Sequence, residues 1–135
     1  MVHCNESFAI IIEHESGWKL IYSGDAMPSE VLAELGVGAT VLIHEATHAD
    51  DLSAQSNEKN HSSVSQALKI GAQMNAWRVI LTHFSQRYTI FPNIKGFENA
   101  IVAFDHIRIK FSECDDICSI MPYVENIFGL YYADS

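Results

Sequence analysis

Apolar residues along this chain fall in short runs, each closed by a turn signal or followed by a helical patch. Residues 8–13, F-A-I-I-I-E, are too few for a helix and predict a buried strand. His14-Glu15-Ser16-Gly17 turns the chain, and residues 18–22, W-K-L-I-Y, return it as the second strand of a hairpin before Ser23-Gly24-Asp25. Pro28 suits the first turn of a helix that continues to Leu35 and stops at Gly36 as its C′ residue. Residues 40–43, T-V-L-I, predict another buried strand, which ends at His44-Glu45. Residues 49–60 are polar and predict a loop. Ser63-x-x-Gln66 is a capping box, in which the two side chains satisfy orphan backbone N–H groups. Val64, Ala67, Leu68 and Gly71 then share one face, so a helix runs to about Met74. Residues 77–82, W-R-V-I-L-T, predict a strand, and residues 91–99 mostly loop. In residues 103–111, Ile107, Ile109 and Phe111 alternate with Arg108 and Lys110, which predicts a half-exposed strand. Residues 120–131, after Pro122, predict a short terminal helix.

Strands that alternate with helices define an α/β chain, with helices packed on a mixed sheet. At 135 residues the length suits one domain, residues 1–135, rather than two. The chain carries few helices for the sheet it implies, and so reads as part of a larger sheet. It shows no repeat and no low-complexity tract.

Composition narrows the class without naming a chemistry. Apolar residues at 48% and charged residues at 19% are ordinary for a globular protein. No apolar run approaches the roughly 20 residues that span a bilayer, so no membrane role is expected. Three cysteines, Cys4, Cys114 and Cys118, follow no disulfide framework and predict reduced thiols in an intracellular compartment. Cys114-x-x-x-Cys118 has the spacing of half a zinc site, but no second Cys or His pair lies near it. The net charge of −9 lacks the basic footprint of a nucleic-acid binder. It is compatible with an acidic site that metal ions complete.

Candidate chemistry gathers just past the ends of the apolar runs. Asp25 follows L-I-Y-S-G, His44-Glu45 follows T-V-L-I, and His83 follows V-I-L-T. In open α/β sheets, ligands bind in the crevice beyond the strand ends. Each residue alone also suits a turn or a hydrogen-bonded rim. Together, His and Asp suit a borderline divalent ion such as zinc.

These residues sit in segments that resemble a known family. Y-S-G-D at 22–25, H-E-A-T at 44–47, His61-Ser62 at a helix start, and N-A-W-R-V-I-L-T-H-F-S-Q-R-Y at 75–88 resemble tRNase Z, long form. That family comprises the tRNA 3′-processing endoribonucleases of the metallo-β-lactamase superfamily. The likeness extends from Val2-His3-Cys4 to about Phe111. It implies two zinc ions, with His3 a ligand of one, Asp25 bridging both and His83 a ligand of the second. A bridging carboxylate offsets the mutual repulsion of two nearby cations. It further implies attack by a metal-activated hydroxide on the phosphodiester after the discriminator nucleotide of precursor tRNA, which releases the 3′ trailer. Glu45 and His61 match a catalytic pair in which the carboxylate holds the imidazole protonated for donation to the leaving 3′ oxygen. Glu45 as a cap or salt-bridge residue is the structural alternative. Arg87 suits either an RNA phosphate or an ion pair. Asp105 and His106, in A-F-D-H at 103–106, match a motif linked to substrate discrimination at the 3′ end, and Asp105 equally suits a local acceptor role.

The family's H-x-H-x-D-H signature is absent, as inspection of His3, His14, His44, His48, His61, His83 and His106 shows. In the family it supplies four zinc ligands from the preceding half of the domain. The chain therefore resembles the C-terminal half of a metallo-β-lactamase αββα sandwich. The resemblance implies precursor tRNA as a partner through the full-length protein, docking with the missing N-terminal half, and a nuclear or mitochondrial location. Alone, the chain is expected to be inactive, to bind zinc weakly or not at all, and to self-associate through its uncovered face.

Overall fold

The structure is a computed structural model and describes residues 7–50, 61–86 and 90–133. His3, Cys4, Arg87 and most of the predicted 49–60 loop lie outside these residues.

A five-stranded mixed sheet forms the frame, with strand order β1-β2-β3-β4-β5. β1 (Ile10–Glu13) and β2 (Lys19–Tyr22) form an antiparallel hairpin, with Ile10 opposite Tyr22 and Glu13 opposite Lys19. The turn between them is tied by His14 N–H to the Trp18 carbonyl at 3.0 Å. From β2 onward every pairing is parallel, through β3 (Val41–Glu45), β4 (Arg78–Thr82) and β5 (Ala100–Val102). Parallel neighbours need crossovers. Helix α1 (Glu30–Leu35) links β2 to β3, and α2 (Val64–Gln73) lies between β3 and β4.

The two faces of the sheet are covered unequally. Ile21, Leu42, Val79 and Ala100 lie side by side across β2 to β5 and bury against Leu32 and Ala33 of α1 and Ala67, Leu68 and Ile70 of α2. Gly71 permits the close approach of α2, because a Cβ there would lie 2.4 Å from Val79 Cγ2. On the opposite face Val41, Ile80 and Ile101 pack against Met121 of α3 (Cys114–Ala133). The cluster around α3 draws on β3, β4 and β5 and leaves the hairpin bare.

That asymmetry corrects one expectation. The first strand is not buried: Ile10 is 52% exposed and Ile12 47%, because β1 is the outer strand of a hairpin that α3 does not reach. The strand expected at residues 103–111 is also wrong. β5 ends at Val102, and His106 takes a φ of 65°, which breaks an extended run. Ile107 and Ile109 instead pack on the α3 cluster by their side chains. The terminal helix starts before Pro122 and not after it, so Pro122 is interior. Asp115 and Asp116 in its first turn suit the positive end of the helix dipole.

Smaller boundaries shift for local reasons. Ser29, not Pro28, opens α1, with its hydroxyl accepting from Leu32 N–H at 3.2 Å. Gly36 is the C-cap residue itself, at φ −88°. The capping box of α2 is formed as expected, and Met74 ends that helix.

Candidate metal and acid–base site

Because β2 to β5 run in parallel, their C-terminal ends emerge at one edge of the sheet. Asp25 follows β2, Glu45 ends β3 and His83 follows β4. His61 joins them from the segment that enters α2. Two of these positions depend on unusual backbone. Gly24 has φ 61°, and a Cβ there would meet the Phe8 carbonyl oxygen at 2.6 Å, so only glycine delivers Asp25 this way. His83 has φ 60°, which turns its ring away from the line of β4.

Glu45 is buried and its carboxylate accepts four hydrogen bonds. Oε1 receives Ala26 N–H at 3.0 Å and His61 Nδ1–H at 2.9 Å. Oε2 receives Thr47 N–H at 3.1 Å and the Thr47 hydroxyl at 2.7 Å. Its backbone N–H donates to Ser23 Oγ at 3.1 Å. Ser62 anchors the His61 segment by donating to the Ala26 carbonyl at 2.7 Å.

The second pair is more open. His83 Nδ1 lies 3.7 Å from Asp25 Oδ1, with both side chains nearly half exposed. The His61 and His83 rings stand 5.6 Å apart. Ligand atoms of Glu45, His61 and His83 all fall within 4.8 Å of one another. The donor set separates their roles. Glu45 has all four acceptor positions filled by protein donors, so ligation by it would strand buried N–H groups. Asp25 and His83 face the opening, and an imidazole and a carboxylate there fit a divalent cation.

His44 faces away from this chemistry. Its Nδ1–H donates to the Glu45 carbonyl at 2.7 Å, and its Nε2 has no partner among the described residues. Burial pushes its pKa below the ordinary histidine value, against the opposing pull of the Glu45 carbonyl and carboxylate. It is a neutral core residue that fixes the β3 end. Asp105 shares a cavity of about 1060 Å³ with His83, whereas His106 does not line it. Cys114 and Cys118 lie one turn apart on α3, burial raises both thiol pKa values, and they join no metal-binding cluster among the described residues. Thr47 was not anticipated as a site residue. Its place in H-E-A-T, two residues after the strand-end carboxylate, was the available signal.

Solved structures define the class. The chain superposes on a long-form RNase Z from yeast with a TM-score of 0.81 at 28% identity, covering 93% of this chain and 18% of that one. Human tRNase Z, short form, gives 0.63 at 29% identity, covering 76% and 38%. A metallo-β-lactamase fold protein from Bacillus subtilis, YhfI, gives 0.57 at 15% identity over 70% and 46%, a likeness of fold alone. The chain is thus part of a metallo-β-lactamase fold. No family model matches it. Its sequence is 43% identical over 129 residues to zinc phosphodiesterase ELAC protein 2 of Homo sapiens, covering 94% of this chain and 16% of that protein. It is 37% identical over 140 residues to the mitochondrial tRNase Z TRZ4 of Arabidopsis thaliana, covering 95% and 15%. The chain belongs to the tRNase Z family, and spans about one sixth of the length of these relatives.

Proposed function

We propose that this chain is the C-terminal part of the catalytic domain of a zinc-dependent endoribonuclease that removes the 3′ trailer from precursor tRNA. The observation that carries this reading is the convergence of two distinct devices at one sheet edge. One is an open Asp25–His83 pair suited to a cation, and the other is a buried Glu45–His61 pair suited to proton transfer.

In this reading Asp25, His83 and His3 hold two zinc ions together with ligands from the preceding half of the domain. Bound zinc supplies Lewis acidity and an activated water. Glu45 orients His61 through Nδ1, so that the imidazole presents Nε2 to the leaving 3′ oxygen and delivers the proton there. Arg87 and Asp105 serve as RNA contacts in this reading, and His106 acts next to Asp105 in the same motif. The human relative is called a zinc phosphodiesterase and the plant relative a mitochondrial tRNase Z. Those names support zinc, tRNA and a mitochondrial location for the protein that carries this chain. No helix among the described residues is long and apolar enough to cross a membrane.

The remaining half of the domain docks on the bare face of the hairpin, where Phe8, Ile10, Ile12 and Tyr22 are exposed. Without it, copies of the chain associate through that face. The chain offers too few ligands for tight zinc binding, since catalytic zinc sites use three protein ligands.

The test is cleavage of a 3′-extended precursor tRNA by the full-length protein, run beside a small phosphodiester. His61→Ala should lower precursor cleavage by at least about 100-fold, the lower range of general acid–base contributions, and Asp25→Ala should lower it through loss of a metal ligand. Undiminished cleavage in Asp25→Ala, or turnover of the small ester only, would remove the proposal. For the isolated chain, calorimetry should detect weak zinc uptake or none, and tight binding of two ions would contradict the ligand count.

A further inference from the structure

We propose that Thr47 is a positioning residue that holds the His83 imidazole in its Nδ1–H tautomer and so leaves Nε2 as the free nitrogen. The inference rests on the reading of His83 as a metal ligand only for its consequence, not for its geometry.

The hydrogen count decides the direction of each bond. A carboxylate accepts and does not donate, and a threonine hydroxyl has one proton. That proton is committed to Glu45 Oε2 at 2.7 Å. Thr47 Oγ1 is therefore an acceptor toward any ring nitrogen beside it. His83 Nδ1 lies 2.8 Å away, and at that distance it must carry the proton and donate. His61 Nδ1 is also near the hydroxyl, at 3.3 Å, but is closer to Glu45 Oε1 at 2.9 Å, which takes its proton. Asp25 Oδ1, at 3.7 Å from His83 Nδ1, is beyond hydrogen-bond range and does not compete.

Backbone contacts make this arrangement stiff. Thr47 N–H also donates to Glu45 Oε2, and Ser85 N–H donates to the Thr47 carbonyl at 3.0 Å. The strand-end loop that carries His83 is thus pinned to the Thr47 backbone two residues past the imidazole. A continuous path, His83 Nδ1–H to Thr47 Oγ–H to Glu45, joins the candidate cation ligand to the candidate acid–base pair. Metal-binding histidines commonly donate their second ring N–H to a carboxylate or carbonyl, which sets ring orientation and basicity. Here a hydroxyl relays that role from a carboxylate already shared with His61.

The experiment is ¹⁵N NMR of the histidine rings in this chain, metal-free and at pH 8, for the native sequence, Thr47→Val and Thr47→Ser. The native chain should show His83 with a protonated Nδ1 and an unprotonated Nε2. Thr47→Val, which keeps shape and loses the hydroxyl, should move His83 toward the Nε2–H form, and Thr47→Ser should restore the native pattern. Backbone amide spectra report whether each variant is folded. If Thr47→Val does not fold, the native spectrum still decides, because an Nε2–H ring on His83 overturns the proposal outright. A folded Thr47→Val with an unchanged tautomer overturns it too. In the full-length protein, Thr47→Val should weaken zinc binding by about 10–100-fold, and unchanged affinity would count against the relay. An Nδ1–H ring that zinc does not perturb would preserve the positioning role and instead remove His83 as a ligand.

Discussion

His83 occupies left-handed backbone space at the end of β4, and a non-glycine residue pays roughly 1–2 kcal/mol to stay there. The strain is separable from the imidazole's own contacts. His83→Gly and His83→Ala both delete the ring, but only alanine keeps the steric penalty. His83→Gly should be the more stable of the two by about 1 kcal/mol, read as a difference in urea midpoint. His44 supports a different test. Its pKa is lowered in the folded chain, so between that value and the unfolded value the unfolded chain binds more protons. Stability therefore declines as pH falls below the ordinary histidine value, by at most about 1.4 kcal/mol per pH unit for this group. His44→Asn retains a donor for the Glu45 carbonyl and should show a shallower decline in urea denaturation between pH 7 and pH 5.5. Asp25, Glu45 and His83 were legible in the sequence because each closes an apolar run. Thr47 was not, because its hydroxyl oxygen joins its near neighbour Glu45 to His61 and His83, which the chain brings in from distant segments.

Elements set how firmly those residues are held. The capping box on α2 uses Ser63 and Gln66, two to five residues beyond His61, so the cap also steadies the approach of that imidazole. Ser63→Ala should cost ~1 kcal/mol, measurable by chemical denaturation, and should broaden the His61 ring signals in NMR. The box was readable because its spacing is local. The ends of the chain's later elements were not. Alternation in residues 103–111 is real, but Ile107 and Ile109 satisfy it by packing on α3 and not by pairing in the sheet. Pro122 looked like a helix start because proline favours the first turn. Within α3 it removes one backbone donor, and the helix continues because Met121, Ile117 and Phe128 are held by the sheet-side cluster.

At the scale of the whole molecule, one face of the sheet is finished by α1 and α2 and the other only in part by α3. Ile12→Lys places a charge in the middle of the bare hairpin strip. It should shift sedimentation of the isolated chain toward monomer, and a native chain already monomeric at micromolar concentration would remove the self-association. The α/β class followed from alternating strands and helices, while the unequal cover was only hinted at by the small number of helices. The parallel order of β2 to β5 also carries a temporal consequence. The β1–β2 hairpin is a local structure that forms on its own contacts, but each later strand must wait for a crossover to close. On a ribosome, Asp25 and Glu45 leave the exit tunnel well before His83, and Asp25 has no His83 beside it until β4 docks. In a nascent chain Asp25 thus lacks the imidazole proposed to share its cation until the sheet is nearly complete.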